Sequence, residues 1–483
     1  MKNCLPIIEV TEDNFKKILP TIKAAIKDAS FLSIDCELTG LGDRKKLNYP
    51  EIDFRYKYST EIARSYAVIS LGLSCFTCKS ISDVRVTDGT EDDSEDGEHI
   101  RSYDYLVQTF DIITLCSEDF CVEVNSHKFL LSHGFDFNKL YSKGILYHKG
   151  CDRQKDTSPD VREVFSSVLE HRKPVVIHNG LVDLIFLYQS FYADLPKKAD
   201  TFAADLSEMF PCGVYDTKYI SEFHQSMPAT YLEYLYKKMQ LRNARRGNAG
   251  DWHVRIQFPP YPPGLSNIDW HPYLQILLYD TETDDDGLEV CENFAFHGWC
   301  SKYDKCENSH NINKIVKILQ PVGAKKRGNS KYSGPVCESV AQILKHVKKE
   351  EEHGNHSLGM ENAEPLEKKA KILPDKKIEV ASSNGVQTLN ETDKAQDMQY
   401  AAGHRAGFDA FMTGFLFAEY ITEHGKPEEK DNPFSPENLG LSEEVNKIYL
   451  MGKNFPFLIR TGTYASTSQN HQKKISLIRK DVT

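Results

Sequence analysis

Apolar and polar positions along the chain follow two periods, and the switches between them mark out the elements. Residues Thr11 to Ala29 place apolar side chains at helical spacing and predict an amphipathic segment, interrupted at Pro20, that packs on a core. SFLSIDCEL is a short apolar run and predicts a strand. ARSYAVISLGLSCF and YLVQTFDIITL predict two more, and their hairpin-like succession predicts a meander pairing with the first. Helical period returns in SPDVREVFSSVLEHR, where Val161, Val164, Phe165, Val168 and Leu169 form one stripe, with Ser158 expected as the cap and Pro159 at the first helical position. PVVIH, residues Pro174 to His178, reads as a buried strand, Asn179-Gly180 as a turn, and LVDLIFLYQSF as the next helix. The last strong helical pattern, FDAFMTGFLFAEYI, follows Gly407. Interleaved strands and helices of this kind belong to the α/β class.

Composition changes this picture in three places. A chain of 483 residues allows about three units at the usual ~150 residues each. It opens without a basic stretch leading into an apolar core, and no continuous run approaches the ~18 apolar residues of a spanning helix, so a soluble intracellular protein without a membrane partner is expected. Twelve cysteines then read as free thiols and metal ligands. The net charge of −11 argues against uniform attraction to a polyanion, but the charge is divided. Asp88 to Glu98 hold seven acidic residues and no basic one, the composition of a solvated loop, whereas residues 301 to 349 hold eleven Lys or Arg against three acids. Residues 350 to 396 are polar and broken by Gly, Pro and Asn, which predicts a flexible linker.

Acidic residues occupy positions where burial is costly. Asp35 and Glu37 stand at i and i+2 of the first apolar strand, so both side chains point to one face and can share a cation. Two carboxylates in so apolar a run suffer desolvation and mutual repulsion, which a divalent cation relieves. Asp183 is expected in the first turn of its helix, at the carboxyl end of a strand, and Asp409 on the last helix with His404 five residues earlier. Five residues are ~140° of helical rotation, so His404 and Asp409 reach one point only if that helix begins close to His404. Any one of these residues alone fits a cap or a salt bridge. Together they have the composition needed for phosphodiester hydrolysis, which uses carboxylates converging on divalent cations and a base for water. Asp216, in VYDTKYI, is read as mainly structural, and Cys75 and Cys78 as strand thiols.

Taken in order, FLSIDCELTG, VVIHNGLVDL and GHRAGFDAFMTG resemble the motifs of the DEDDh 3′-to-5′ exonucleases, in particular the CAF and PARN deadenylases; FLLSHGFDFNKLYSKGILY and VYDTKYI resemble further segments of that family. The resemblance covers residues 1 to about 280 and about 397 to 465. It implies a ribonuclease H-like mixed sheet flanked by helices. It also implies two Mg2+ or Mn2+ ions per site, Asp35 bridging them, Glu37 and Asp409 completing the nucleophile-side ion, Asp183 serving the leaving-group ion, and His404 taking the proton from water. Arg405 stands where the sister subgroup has its tyrosine, four residues before Asp409, and the histidine variant is therefore the better match. The activity implied is removal of 3′ adenosines from RNA with release of 5′-AMP.

A second module interrupts the first. Cys291, Cys300, Cys306 and His310 have the spacing C-x8-C-x5-C-x3-H, which suits a closed tetrahedral zinc site, with Phe294, Phe296, Trp299 and Tyr303 between the ligands. The spacing resembles that of CCCH fingers, many of which bind single-stranded RNA; a purely structural knob is the competing reading. Lys325, Lys326 and Arg327 then open a basic cluster expected to act in nuclear import or RNA contact. The expected organisation is a discontinuous nuclease at 1–284 and 397–465, a finger at 285–313, a basic segment and linker at 314–396, and a tail at 466–483. A finger with a basic cluster resembles the nuclear branch of the family, which implies small non-coding RNAs with 3′ oligo(A) tails as substrates, nuclear RNA-processing proteins as partners, and residence in nucleoplasm and Cajal bodies. Two other functions stay open at this point: a catalytically silent nuclear scaffold binding RNA through the finger, and a nuclease of the same chemistry acting on DNA.

Overall fold

The computed structural model describes residues 4–85, 99–153, 160–261, 265–272, 286–302, 305–319, 405–425, 434, 438–463 and 465–480. The acidic run 88–98, Ser158, Pro159, Tyr303, Lys325, Lys326, Arg327, the linker and His404 lie outside them. All but residues 317–319 of the described chain belong to one compact unit, residues 1–316 and 400–483.

In chain order the elements begin with β1 (Cys4–Val10), α1 (Glu12–Asp28), β2 (Phe31–Leu38), α2 (Arg44–Leu47), α3 (Ile52–Ser65), β3 (Val68–Arg85) and β4 (His99–Cys116). After α4 (Val124–Ser132), α5 (Phe137–Lys143) and β5 (Ile145–Tyr147) come α6 (Val161–His171), β6 (Val175–Ile177), α7 (Leu181–Leu187), α8 (Ala199–Met209) and β7 (Val214–Asp216). The remainder is α9 (Thr217–Tyr219), α10 (Leu232–Asn248), β8 (His253–Gln257), β9 (Ile268–Pro272), α11 (Glu292–His297), α12 (Ile312–Ile318), α13 (Ala406–His424), β10 (Lys447–Ile448), β11 (Phe457–Leu458) and α14 (Gln469–Lys480).

The central sheet runs β7-β6-β2-β3-β4-β1-β9, with β5 and β8 pairing elsewhere along β4. β2, β3 and β4 form the expected antiparallel meander, while β6 and β7 add in parallel beside β2 and β1 adds in parallel beside β4. The result is a mixed sheet flanked by helices, the ribonuclease H-like architecture expected from the motifs. Among the described residues no helix is long and apolar enough to cross a membrane.

Two local readings differ from expectation. Pro20 does not interrupt α1, which continues from Glu12 to Asp28 because Pro20 falls on the exposed side while Phe15, Leu19, Ile22, Ala25 and Ile26 pack inward. The helix starts with a reciprocal pair in which the Asn14 side chain accepts the Thr11 amide at 2.9 Å. At α6 the cap is Asp160, whose carboxylate accepts the Arg162 amide at 2.8 Å, so the helix starts later than the expected Ser158 cap. An acidic cap serves the positive end of a helix as well as a hydroxyl does. The apolar stripe of α6 is buried as expected.

α13 decides the architecture of the site. Every residue from Ala406 to Thr422 is buried, because the helix lies on one face of β2, β3 and β4 and is covered by α10 through Tyr236 against Phe408, Phe411 and Phe415. It approaches the sheet through small residues. A Cβ added to Gly72 of β3 would stand 1.8 Å from the Ala406 carbonyl oxygen, and one added to Gly414 would stand 2.1 Å from the Phe76 ring. The Ser33 hydroxyl of β2 donates to the Ala410 carbonyl at 2.7 Å, a bond that requires this proximity.

Candidate active site

Asp35 and Glu37 leave β2 on the face that α13 covers. The row across the sheet is Asp35 on β2, Gly72 on β3 and Asp111 on β4, with Glu37 opposite Ser70 two pairs along. Paired residues share a face, so Asp35 and Asp111 flank the empty position at Gly72. The start of α13 fills that gap: Gly407 packs against the Asp111 and Ile7 side chains, where an added Cβ would approach each to 3.0 Å. Two residues on, still in the first turn, Asp409 comes up to Asp35 and Glu37. Carboxylate oxygens of Asp35, Glu37 and Asp409 all lie within 4.8 Å of one another.

Asp183 stands beside this trio. It occupies the first turn of α7, as expected, and its carboxylate is held by the backbone amide of Cys36, the residue between the two β2 acids. Asp216 explains how that turn is fixed. Wholly buried, it accepts the amides of Asn179 at 2.8 Å and Lys218 at 3.0 Å with one oxygen and that of Tyr449 at 3.0 Å with the other. Asn179 adopts φ +57°, the left-handed conformation that turns the chain from β6 into α7. The structural reading of Asp216 therefore holds, and its service is to the segment that presents Asp183.

Electrostatics define what the site can hold. Burial raises the proton affinity of Asp35 well above the carboxylate range, and Asp409, Asp183 and Glu37 raise it further. Glu37 is raised by burial and then by Asp409, Asp111 and Asp183. Burial pushes Asp183 up to about 7, while burial followed by Glu233 and Asp111 pushes Asp409 up to about 8. The set consists of oxygen donors, is negatively charged and is mutually repulsive, the chemistry that a hard divalent cation satisfies. Two members escaped the sequence reading. Asp111 bonds Ser70 and sits in YLVQTFDIITL at the same inward phase as Thr109, an acid in an apolar strand that could have been picked out as Asp35 was. Glu233, at the start of α10, carries no such signal because only tertiary packing brings α10 to Asp409.

The thiols of Cys291, Cys300 and Cys306 and an imidazole nitrogen of His310 also come within 4.8 Å of one another. His310 Nε2 is buried without a hydrogen-bond partner, an orphaned lone pair that a cation would satisfy. The His310 ring stacks on Phe294 at 4.4 Å, and Phe294 meets Tyr231, just before α10, edge-on at 6.1 Å. Gly298, at φ +71°, lies so close to Tyr231 that a Cβ there would stand 2.7 Å from its ring. The segment thus rests directly on the start of α10. Trp299 is 61% exposed. The region set apart as a tail contains α14, anchored where Asp205 accepts the Ser468 amide at 2.7 Å and the buried His471 pairs with Glu208 at 3.0 Å.

The acidic set has a consequence for stability. Folding raises the proton affinity of all four carboxyls, so the folded, metal-free chain holds more protons than the unfolded one between the ordinary carboxylate range and about pH 7 to 8. Their contribution to stability falls as pH rises through that window, and a cation restores it by replacing the protons. Magnesium should raise Tm by several degrees more at about pH 8 than at about pH 6. Calorimetry of the wild type and of Asp35→Asn with Glu37→Gln checks this; equal rises at both pH values would contradict it.

Comparison with known proteins places this geometry. The CAF1 family ribonuclease model matches residues 10–158 and 151–417. The chain is 20% identical over 375 residues to a pre-piRNA 3′-exonuclease trimmer of Bombyx mori, covering 52% of this chain and 66% of that one. It is 22% identical over 497 residues to the poly(A)-specific ribonuclease PARN of Arabidopsis thaliana, covering 92% and 68%, and 29% identical over 147 residues to that of Danio rerio, covering 29% and 20%. The match therefore spans about two thirds of the silkworm protein and one fifth of the zebrafish one. Among solved structures, the RNase domain of yeast Pop2 aligns with 48% of this chain and 74% of that one at 16% identity and a TM-score of 0.33. With the family model matching most of its length, around the strand and helices that bear the acidic set, the chain belongs to the CAF1 family of ribonucleases.

Proposed function

We propose that the protein is a metal-dependent 3′-to-5′ exoribonuclease that removes adenosines from RNA 3′ ends and releases 5′-AMP. The observation that carries this reading is the convergence of Asp35, Glu37 and Asp409 from β2 and α13, with Asp183 beside them. Membership of a ribonuclease family and the named activities of the relatives support it. Asp35, Glu37 and Asp409 would hold one divalent cation, and Asp35 with Asp183 a second. When bound, such cations supply a nucleophilic hydroxide and stabilise the departing oxygen. The chain's own part is to fix the carboxylates before substrate arrives, and His404, next to the Arg405 cap of α13, is assigned the proton of the attacking water.

Magnesium and manganese are the cations proposed for the acidic set, and zinc for Cys291, Cys300, Cys306 and His310. A seat for single-stranded RNA on the finger is supported by the exposed Trp299. Lys325, Lys326 and Arg327 are proposed as a nuclear import signal, and small nuclear and other non-coding RNAs, nuclear RNA-processing partners and Cajal bodies belong to the same proposal.

The double substitution Asp35→Ala with Glu37→Ala should lower trimming of a 3′-adenylated RNA by at least about a thousandfold, the scale of several kcal/mol of lost charge stabilisation, while leaving the fold intact. Activity near wild type in that variant refutes the site. RNAs of one body with tails of A, U, C or G, and a DNA control, read the specificity: equal rates on all tails remove the adenosine preference, and preference for DNA removes the ribonuclease assignment. Elemental analysis should find one zinc per purified chain and none after Cys300→Ser; an unchanged zinc content would show that the cluster is not the ligand set. Nuclear exclusion of a fluorescent fusion carrying Lys325→Ala, Lys326→Ala and Arg327→Ala is the corresponding check of import, and undisturbed nuclear residence would count against it.

A further inference from the structure

Asp409 is the one member of the acidic trio that does not come from a strand. It lies in the first turn of α13, where fraying is easiest, and the Arg405 cap makes no side-chain capping bond; its carbonyl accepts the Asp409 amide at 2.9 Å. What holds this turn comes from β9, an edge strand paired with β1 through Ile7 and Asp269. Asp269 and His271 stand at i and i+2 and so face the same side. The Arg405 guanidinium donates to Asp269 Oδ2. His271 Nε2 lies 3.4 Å from the same Asp269 oxygen, and its buried ring stacks on Phe408 at 5.3 Å and 20°. Phe408 is gripped on its other side by Tyr236 of α10 at 6.0 Å. The residues bound from β9, Arg405 and Phe408, bracket the close approach of Gly407 to Ile7 and immediately precede Asp409.

We propose that Asp269 and His271 are positioning residues that clamp the first turn of α13 through Arg405 and Phe408 and thereby set where the Asp409 carboxylate stands relative to Asp35 and Glu37. The proposal rests on the nuclease reading of that trio. The pair bonds and stacks on Arg405 and Phe408, so its effect passes through the helix. The Asp269 carboxyl is held down to about 2, first by His271 and then by Arg405, so it remains charged across the working range of pH. Arg405 also neighbours Asp111, whose proton affinity burial raises and Ser70 and Arg405 partly lower again, and which adds to the repulsion on Glu37 and Asp409.

A loss of positioning differs from a loss of folding in what it moves. In the full-length chain, Asp269→Asn should lower kcat on adenylated RNA by on the order of 10- to 100-fold. KM should stay within about twofold, and the magnesium concentration for half-maximal rate should rise several-fold, with little change in metal-free Tm. Asp269→Glu, which keeps the charge, should restore much of the rate, whereas Arg405→Lys, which loses the planar fork, should restore little. The magnesium-dependent rise in Tm gives an independent reading, and its midpoint should shift upward in Asp269→Asn by the same factor. Wild-type values of kcat and of both magnesium midpoints in Asp269→Asn overturn the proposal. So does a parallel loss of activity and Tm that Asp269→Glu does not relieve. If the wild type is inactive on RNA the nuclease reading fails, and the thermal midpoint alone still decides whether the clamp positions the cation site.

Discussion

Three carboxyl groups that repel one another are brought within 4.8 Å by the packing of one helix on one sheet, with a fourth beside them, and most of the structure around the site serves that contact. α13 reaches the sheet because Gly72 and Gly407 leave room for backbone to meet backbone. A side chain at Gly72 would stand 1.8 Å from the Ala406 carbonyl oxygen, so the helix would have to shift and carry Asp409 with it away from its place beside Asp35 and Glu37. Desolvation and mutual repulsion make the set costly to ionise, as the raised proton affinities of all four show. Strain of that kind is tolerated where a cation completes the site.

Support for the individual acids differs with the element that bears them. Asp35 and Glu37 inherit their direction from the pleat of β2, between two paired neighbours. Asp183 depends on a left-handed turn at Asn179, and Asp216 fixes that turn through backbone amides drawn from three segments. Asp409 stands at a helix terminus, and the Asp269, His271 and Arg405 cluster lies at that terminus. The four cysteine and histidine ligands add a fourth layer, because their segment leans on Tyr231 at the start of α10, the helix that covers α13. The segment is therefore continuous with the nuclease body.

The periodicities of β2, β3, β4, α6 and α13, the i and i+2 phase of Asp35 and Glu37, and the spacing of the four zinc-type ligands were all legible in the chain itself. Each is a local property, set by a repeat of 2 or 3.6 residues or by a short ligand spacing. Even there, neighbouring residues shifted the details: the cap of α6 moved to Asp160, and α1 passed through Pro20 because its missing donor falls on the solvent side. Tertiary structure alone decided that Gly72 is the seat of α13, that Asp111 and Glu233 belong to the electrostatics of Asp409, and that Tyr231 joins the cysteine and histidine segment to α10. Those facts depend on which residues meet across separations of tens to hundreds of positions, and a glycine that admits a helix has the same local signature as one that turns a loop.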